Sequence, residues 1–148
     1  SPGCDTRNLF AYVPQGNCLF SGTIRENIAF ALPADDKRIM NAARTACAED
    51  FIRQLPDGLD TTIGENGSGI SEGQAQRIAI ARALYSGAGF LLLDESTSAL
   101  DAETESRLLK NISALDGKTV LIVTHRPAAL EICSRKFTLK DGVINERS

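Results

Sequence analysis

The chain has 148 residues, of which 43% are hydrophobic and 24% charged, with a formal net charge of −3. This is the balance of one soluble globular domain that can bury a core, and it excludes a disordered or low-complexity chain. The slight acidity gives no electrostatic footprint for nucleic acid or for an anionic membrane surface, and no apolar run approaches the ~20 residues that span a bilayer. The four cysteines, Cys4, Cys18, Cys47 and Cys133, are scattered without metal-ligand spacing and are expected to be reduced thiols.

In chain order, Ser1 to Asn8 is polar and reads as an edge of the chain rather than the start of a domain. Leu9 to Val13 reads as a short strand stopped by Pro14, and Thr23-Ile24-Arg25-Glu26 is a capping box opening a helix to about Phe30. Ile39, Ala42, Ala43 and Ala46, then Phe51, Ile52 and Leu55, recur at helical spacing up to the turn Pro56-Asp57-Gly58. A glycine-rich loop from Gly64 to Gly69 feeds a second capping box, Ser71-Glu72-Gly73-Gln74, and a long helix that Gly87 can stop.

From there the pattern alternates. Gly89 to Leu93 is a buried strand, Leu108, Leu109, Ile112 and Leu115 mark a helix ended by Asp116-Gly117, and Thr119 to Thr124 is a second buried strand. Pro127 suits the first turn of a short helix, and Asp141-Gly142 joins Phe137 to Leu139 with Val143 and Ile144 as a hairpin. A strand, helix, strand unit predicts parallel pairing with a right-handed crossover, and the fold class is α/β.

Four segments carry chemistry. Phe90 to Glu95 sets the adjacent carboxylates Asp94 and Glu95 at the carboxyl end of an apolar strand, where α/β proteins bind ligands, so that one can face a metal and the other a water. Ser71 to Gln74 opens a helix after a glycine-rich turn, offering free N–H groups, the positive end of the helix dipole and a hydroxyl to an anion. The same two side chains would equally serve only to cap the helix. His125, the single histidine, follows the second buried strand, and Gln15 follows the first. Each alone reads as an ordinary exposed polar residue.

Order and spacing tie them together. Asp94-Glu95-Ser96-Thr97-Ser98-Ala99-Leu100-Asp101 resembles the Walker B and D-loop run of the ATP-binding-cassette (ABC) family. Ile70-Ser71-Glu72-Gly73-Gln74 resembles its signature motif, with Glu72 where the family has glycine, a charge that opposes a nearby phosphate. Val13-Pro14-Gln15 resembles the Q-loop, and Val123-Thr124-His125 the H-loop. Leu19 to Ile28 and the X-loop-like Thr62 to Gly67 resemble exporter-type members.

The resemblance runs from Leu9 to about Glu146. It implies a P-loop ATPase core with parallel strands (residues 9–15 and 88–148) and a helical signature subdomain (about 22–87). It implies Mg²⁺ held by Asp94 and Gln15, Glu95, His125 and Gln15 as the catalytic set, and Ser71, Gly73, Gln74 and Asp101 as contacts to ATP. Its implied partners are a second nucleotide-binding domain, arranged head to tail, and transmembrane domains on the same polypeptide, at the cytoplasmic face of the cell membrane. Nucleic acid is not among the partners expected. No Gly-x-x-x-x-Gly-Lys-Ser/Thr loop occurs in the 148 residues. The expectation is therefore a C-terminal part of such a domain, lacking the Walker A segment, which by itself neither holds ATP tightly nor hydrolyses it. The sequence leaves two alternatives, a non-catalytic nucleotide-dependent dimerisation module and a soluble ABC ATPase of the DNA-repair or translation type.

Overall fold

The structure, a computed structural model, describes residues 9–16 and 18–147. The opening segment with Cys4 lies outside the described residues. Three strands form the central sheet: β1 (Phe10–Val13), β4 (Phe90–Asp94) and β5 (Thr119–Val123), in the order β1-β4-β5 and all parallel. The register is Tyr12 beside Leu92 beside Leu121, so alternate residues of all three strands share a face. Ala11, Val13, Leu91, Leu93, Val120 and Ile122 turn inward to the core.

Between β1 and β4 lies the helical block expected from the sequence. It comprises β2 (Gly22–Thr23), α1 (Ile24–Ala29), α2 (Asp36–Thr45), α3 (Glu49–Gln54), β3 (Thr62–Ile63) and α4 (Glu72–Tyr85). Both expected capping boxes form. Thr23 Oγ1 accepts from Glu26 N at 3.1 Å while Glu26 Oε1 accepts from Thr23 N at 3.2 Å, and Ser71 with Gln74 repeats the pattern at 3.1 and 3.0 Å. Helix α4 is the pillar of this block, packing on α1, α2 and β1. Ala75, Ile78, Ala79, Ile80, Ala81 and Ala83 are all buried, so it is enclosed on several sides, and its small residues let three neighbours approach. It stops at Tyr85, with Gly87 at φ 76° just beyond.

After β4, α5 (Ala102–Ser113) crosses back to β5, burying Leu108, Leu109 and Ile112. It ends two residues short of the Leu115 that the periodicity assigned to it. Leu115 N bonds to Ile112 O in the tightened last turn instead. Leu55 likewise lies just outside α3, in extended backbone. The antiparallel contact of β2 with β3 was not anticipated, because a two-residue pair has no periodicity to read. The chain finishes with α6 (Pro127–Ile132) and the hairpin β6 (Lys136–Lys140) and β7 (Val143–Arg147), a separate and exposed ribbon.

The second face of the central sheet is open. Phe10 stacks on Phe90 at 5.4 Å, and Phe10, Tyr12, Leu121 and Val123 are each about half exposed. Parallel sheets normally have both faces covered, so this is a contiguous sticky surface. The 148-residue chain is expected to self-associate, seen as light scattering that rises with concentration, and Leu121→Lys with Val123→Lys to suppress it. A monomer at high concentration without those changes would count against this account.

Candidate functional site

Because β1, β4 and β5 are adjacent and parallel, their carboxyl ends lie along one edge. Gln15 stands two residues past β1, Asp94 ends β4, Glu95 follows it, and His125 stands two past β5. The fold thus brings Gln15, Asp94, Glu95 and His125 to one edge, the side at which open α/β sheets take their ligands.

The turn after β4 is strongly determined. Glu95 has φ 52°, a left-handed conformation that a non-glycine residue adopts at a cost of about 1 kcal/mol. Its N–H donates to Val123 O at 2.9 Å, so β5 holds the strained residue in place. The carboxylate is largely buried, with Oε1 3.3 Å from Nε2 of His125, whose own side chain is 96% exposed. Asp94 Oδ2 accepts from the Tyr12 hydroxyl at 3.1 Å. Desolvation, then that hydrogen bond and the carboxylate charge, raise the Tyr12 phenol above its ordinary value. Tyr12 was not among the residues singled out from the sequence. The signal was available, since in register Tyr12 shares a face with Asp94.

Ser71, Gly73 and Asp101 meet elsewhere, in a pocket of about 410 Å³ that Glu72, Arg77 and Ala99 also line. Gln74, the fourth residue of that predicted group, is not part of its lining. Its side chain turns back to Ser71 N, so the capping reading holds for Gln74 in this structure. Gly73 is there for space, because a Cβ would lie 3.0 Å from Ala99 O. Glu72 lines the pocket with negative charge. Arg77 lines the same pocket with positive charge, donating from Nε to Gly73 O at 3.2 Å and from Nη1 to Cys47 O at 3.0 Å, and burial lowers its pKa.

Gln76 was missed altogether. Buried on α4, it donates from Nε2 to Ser98 Oγ at 2.9 Å and accepts from Ala99 N at 3.0 Å. It fastens the 96–101 segment to the helix that opens the pocket. In the sequence it is one polar residue in a helix, and its partners lie more than 20 positions away.

Among the described residues no cluster of three or more His, Cys, Asp or Glu is arranged to hold a metal ion. Mg²⁺ does not require one, since it keeps several waters and takes one or two carboxylates together with phosphate oxygens. The hard oxygens of Asp94 and Gln15 at one strand edge fit that pattern.

The sequence profile of the ABC transporter family matches residues 3–98. The chain belongs to the ABC transporter family. It is 44% identical over 147 residues to the ATP-dependent lipid A-core flippase of Ralstonia nicotianae, covering 96% of this chain and 25% of that protein. It is 44% identical over 142 residues to the cyclolysin secretion/processing ATP-binding protein CyaB of Bordetella pertussis, covering 95% and 20%. Its fold superposes on a bacterial Atm1-family ABC exporter solved with ATP bound, with a TM-score of 0.85 and 38% identity over 92% of this chain and 24% of that one. The chain therefore spans a fifth to a quarter of the length of these relatives. Its fold is that of the ABC-type P-loop ATPase core with the helical signature region, as the motifs implied.

Asp101 caps α5, and Thr104 N donates to its Oδ1 at 2.7 Å. That bond first, then the Thr104 hydroxyl, and more weakly the Arg77 charge, hold its carboxyl below the ordinary 3.8. A depressed folded pKa contributes stability that is present above the ordinary value and lost as pH falls through the folded one. Asp101→Asn, which keeps a capping oxygen, is expected to flatten the acid limb of the unfolding curve below about pH 4 in urea titrations, and an unchanged limb would refute the assignment.

Proposed function

We propose that this ABC chain is the hydrolysing and signalling part of the nucleotide-binding domain of an exporter, working with a second such domain and with membrane-spanning domains at the cytoplasmic face. The observation that carries the reading is Glu95, held in a strained turn at the end of β4 with its carboxylate 3.3 Å from Nε2 of His125. A carboxylate placed there can take a proton from water, and an exposed imidazole beside it can meet a phosphate.

In this reading Asp94 and Gln15 hold Mg²⁺. When bound, the ion neutralises charge on the β- and γ-phosphates. Glu95 orients a water and accepts its proton as the water oxygen bonds to the γ-phosphorus. The bond to the bridging oxygen breaks, and ADP and phosphate result. His125 steadies the γ-phosphate and keeps Glu95 in line. Ser71, Gly73 and the N-terminus of α4 face the nucleotide bound to the opposite domain, with Asp101 beside them. The positive end of a 14-residue helix suits that task.

Residues 22–87 act as the signature subdomain, and residues 9–15 and 88–148 belong to the ATPase core. The X-loop-like segment from Thr62, whose Glu65 is exposed, would meet the intracellular loops of the membrane domains. The 148 residues contain no lysine-bearing phosphate loop, so alone they neither bind ATP tightly nor hydrolyse it.

In the complete transporter, Glu95→Gln is expected to lower ATP turnover by about 10²- to 10⁴-fold while ATP still drives the two domains together. Phosphate release and ATP-dependent association measured on the same preparation check this. Turnover at the wild-type rate would refute the assignment.

A further inference from the structure

His125 is 96% exposed, so side-chain packing does little to aim it, and its direction is set by the backbone of the turn on which it sits. That turn is fastened by its neighbour. Arg126 donates from Nη1 to Thr97 O at 3.2 Å and to Ser98 O at 2.9 Å, and from Nη2 to Leu100 O at 3.1 Å. Its Nε lies 2.9 Å from Oε2 of Glu105, whose side chain is 2% exposed and which also accepts from the Thr97 hydroxyl at 2.7 Å. Arg126 N in turn donates to Thr124 Oγ1 at 2.9 Å, closing the turn on itself.

All three guanidinium nitrogens are engaged, with three main-chain carbonyls of one short segment converging on one cation. Only a planar fork with donors in fixed directions satisfies such a set, and an ammonium placed at one point cannot. The same segment is held from its other side by Gln76 of α4, through Ser98 and Ala99. It runs from the residue after Glu95 to Asp101 at the signature pocket.

We propose that Arg126 is a positioning residue for hydrolysis. It locks the histidine-bearing turn to segment 96–101, so that His125, Glu95 and the wall of the signature pocket keep one relative placement. The proposal rests on the function given above. Arg126 acts through His125 and the segment rather than on substrate. The buried carboxylate of Glu105 makes the link durable, because withdrawing the guanidinium would leave a charge without its counter-ion in the core.

The test uses the complete ATP-hydrolysing protein, with steady-state kinetics well below its melting temperature and thermal unfolding of each variant. Arg126→Lys keeps a positive charge opposite Glu105 but cannot hold three carbonyls. It is expected to melt near the wild type, to keep the KM for ATP within about twofold, and to lose about tenfold to a hundredfold in kcat, the scale of a small misplacement of catalytic groups. Arg126→Ala should lose both kcat and thermal stability. If Arg126 serves only to neutralise Glu105, Arg126→Lys will restore kcat as well as stability, and the proposal falls. A rise in KM with kcat unchanged overturns it too. Should Arg126→Ala fail to fold, Arg126→Lys decides alone. Glu95→Gln run alongside separates the two readings. If that variant is inactive and Arg126→Lys is fully active, only the role of Arg126 is lost, whereas if Glu95→Gln is fully active the hydrolytic reading itself is lost.

Discussion

A strand that ends in two adjacent carboxylates is useful only if the chain leaving it is fixed, since Asp94 and Glu95 would otherwise relax towards solvent and away from one another's task. In this protein the fixing is done within a few residues. Glu95 N is tied to Val123 O, Ser96 Oγ reaches Val13 O at 2.9 Å, and the Thr97 hydroxyl bonds to the buried carboxylate of Glu105. The exit from the middle strand is therefore bonded to both neighbouring strands and to the following helix. The left-handed backbone at Glu95 persists because these bonds together outweigh its cost. The parallel order β1-β4-β5 is what makes the arrangement possible, for it puts an acceptor on each side of the turn.

The helical block is bound together, and joined to the loop before it, by a second set of polar contacts, centred on Arg82 of α4. Its guanidinium donates to Asn27 O at 2.7 Å, Asn27 Oδ1 at 2.9 Å and Cys18 O at 3.0 Å, and lies over the rings of Phe20 and Phe30 at 5.3 and 5.4 Å. Burial lowers its pKa, and the surrounding acceptors and ring faces stand in for lost water. Fully buried Asn27 closes the loop it belongs to, donating to Phe20 O and Thr23 O and accepting from Phe20 N. The segment that follows Gln15 is thus carried by the helix that opens the signature pocket.

The elements were legible in the sequence wherever the determinant was local. Two capping boxes, the stop after Tyr85, the proline at the start of α6 and the Asp141-Gly142 turn all depend on residues within four positions of each other. The two buried strands declared themselves by their apolar runs. What escaped the sequence was long-range and polar. Gln76, Arg82 and Arg126 each look like ordinary helix or turn residues, and their side-chain partners lie 21 to 64 positions away, so no periodicity or spacing points to them. The candidate site divides along the same line. Asp94, Glu95, His125 and Gln15 are placed together by topology that the strand pattern implies, whereas the approach of Ala99 and Asp101 to Ser71 and Gly73 is long-range and leaves no local signal.

The two halves of the site share a single piece of chain. Segment 96–101 begins directly after the carboxylate proposed to act on water and ends at Asp101 in the pocket proposed to meet the opposite nucleotide. It is clamped on one side by Gln76 from the helix behind that pocket and on the other by Arg126 from the turn that bears His125. A flexible connector would let the pocket fill without consequence for the strand end. A connector bonded at nearly every residue holds the pocket wall and the strand end in one fixed relative placement. On the proposed reading, closure of two domains and hydrolysis of ATP are then coupled by the stiffness of six residues, without any large movement inside the core.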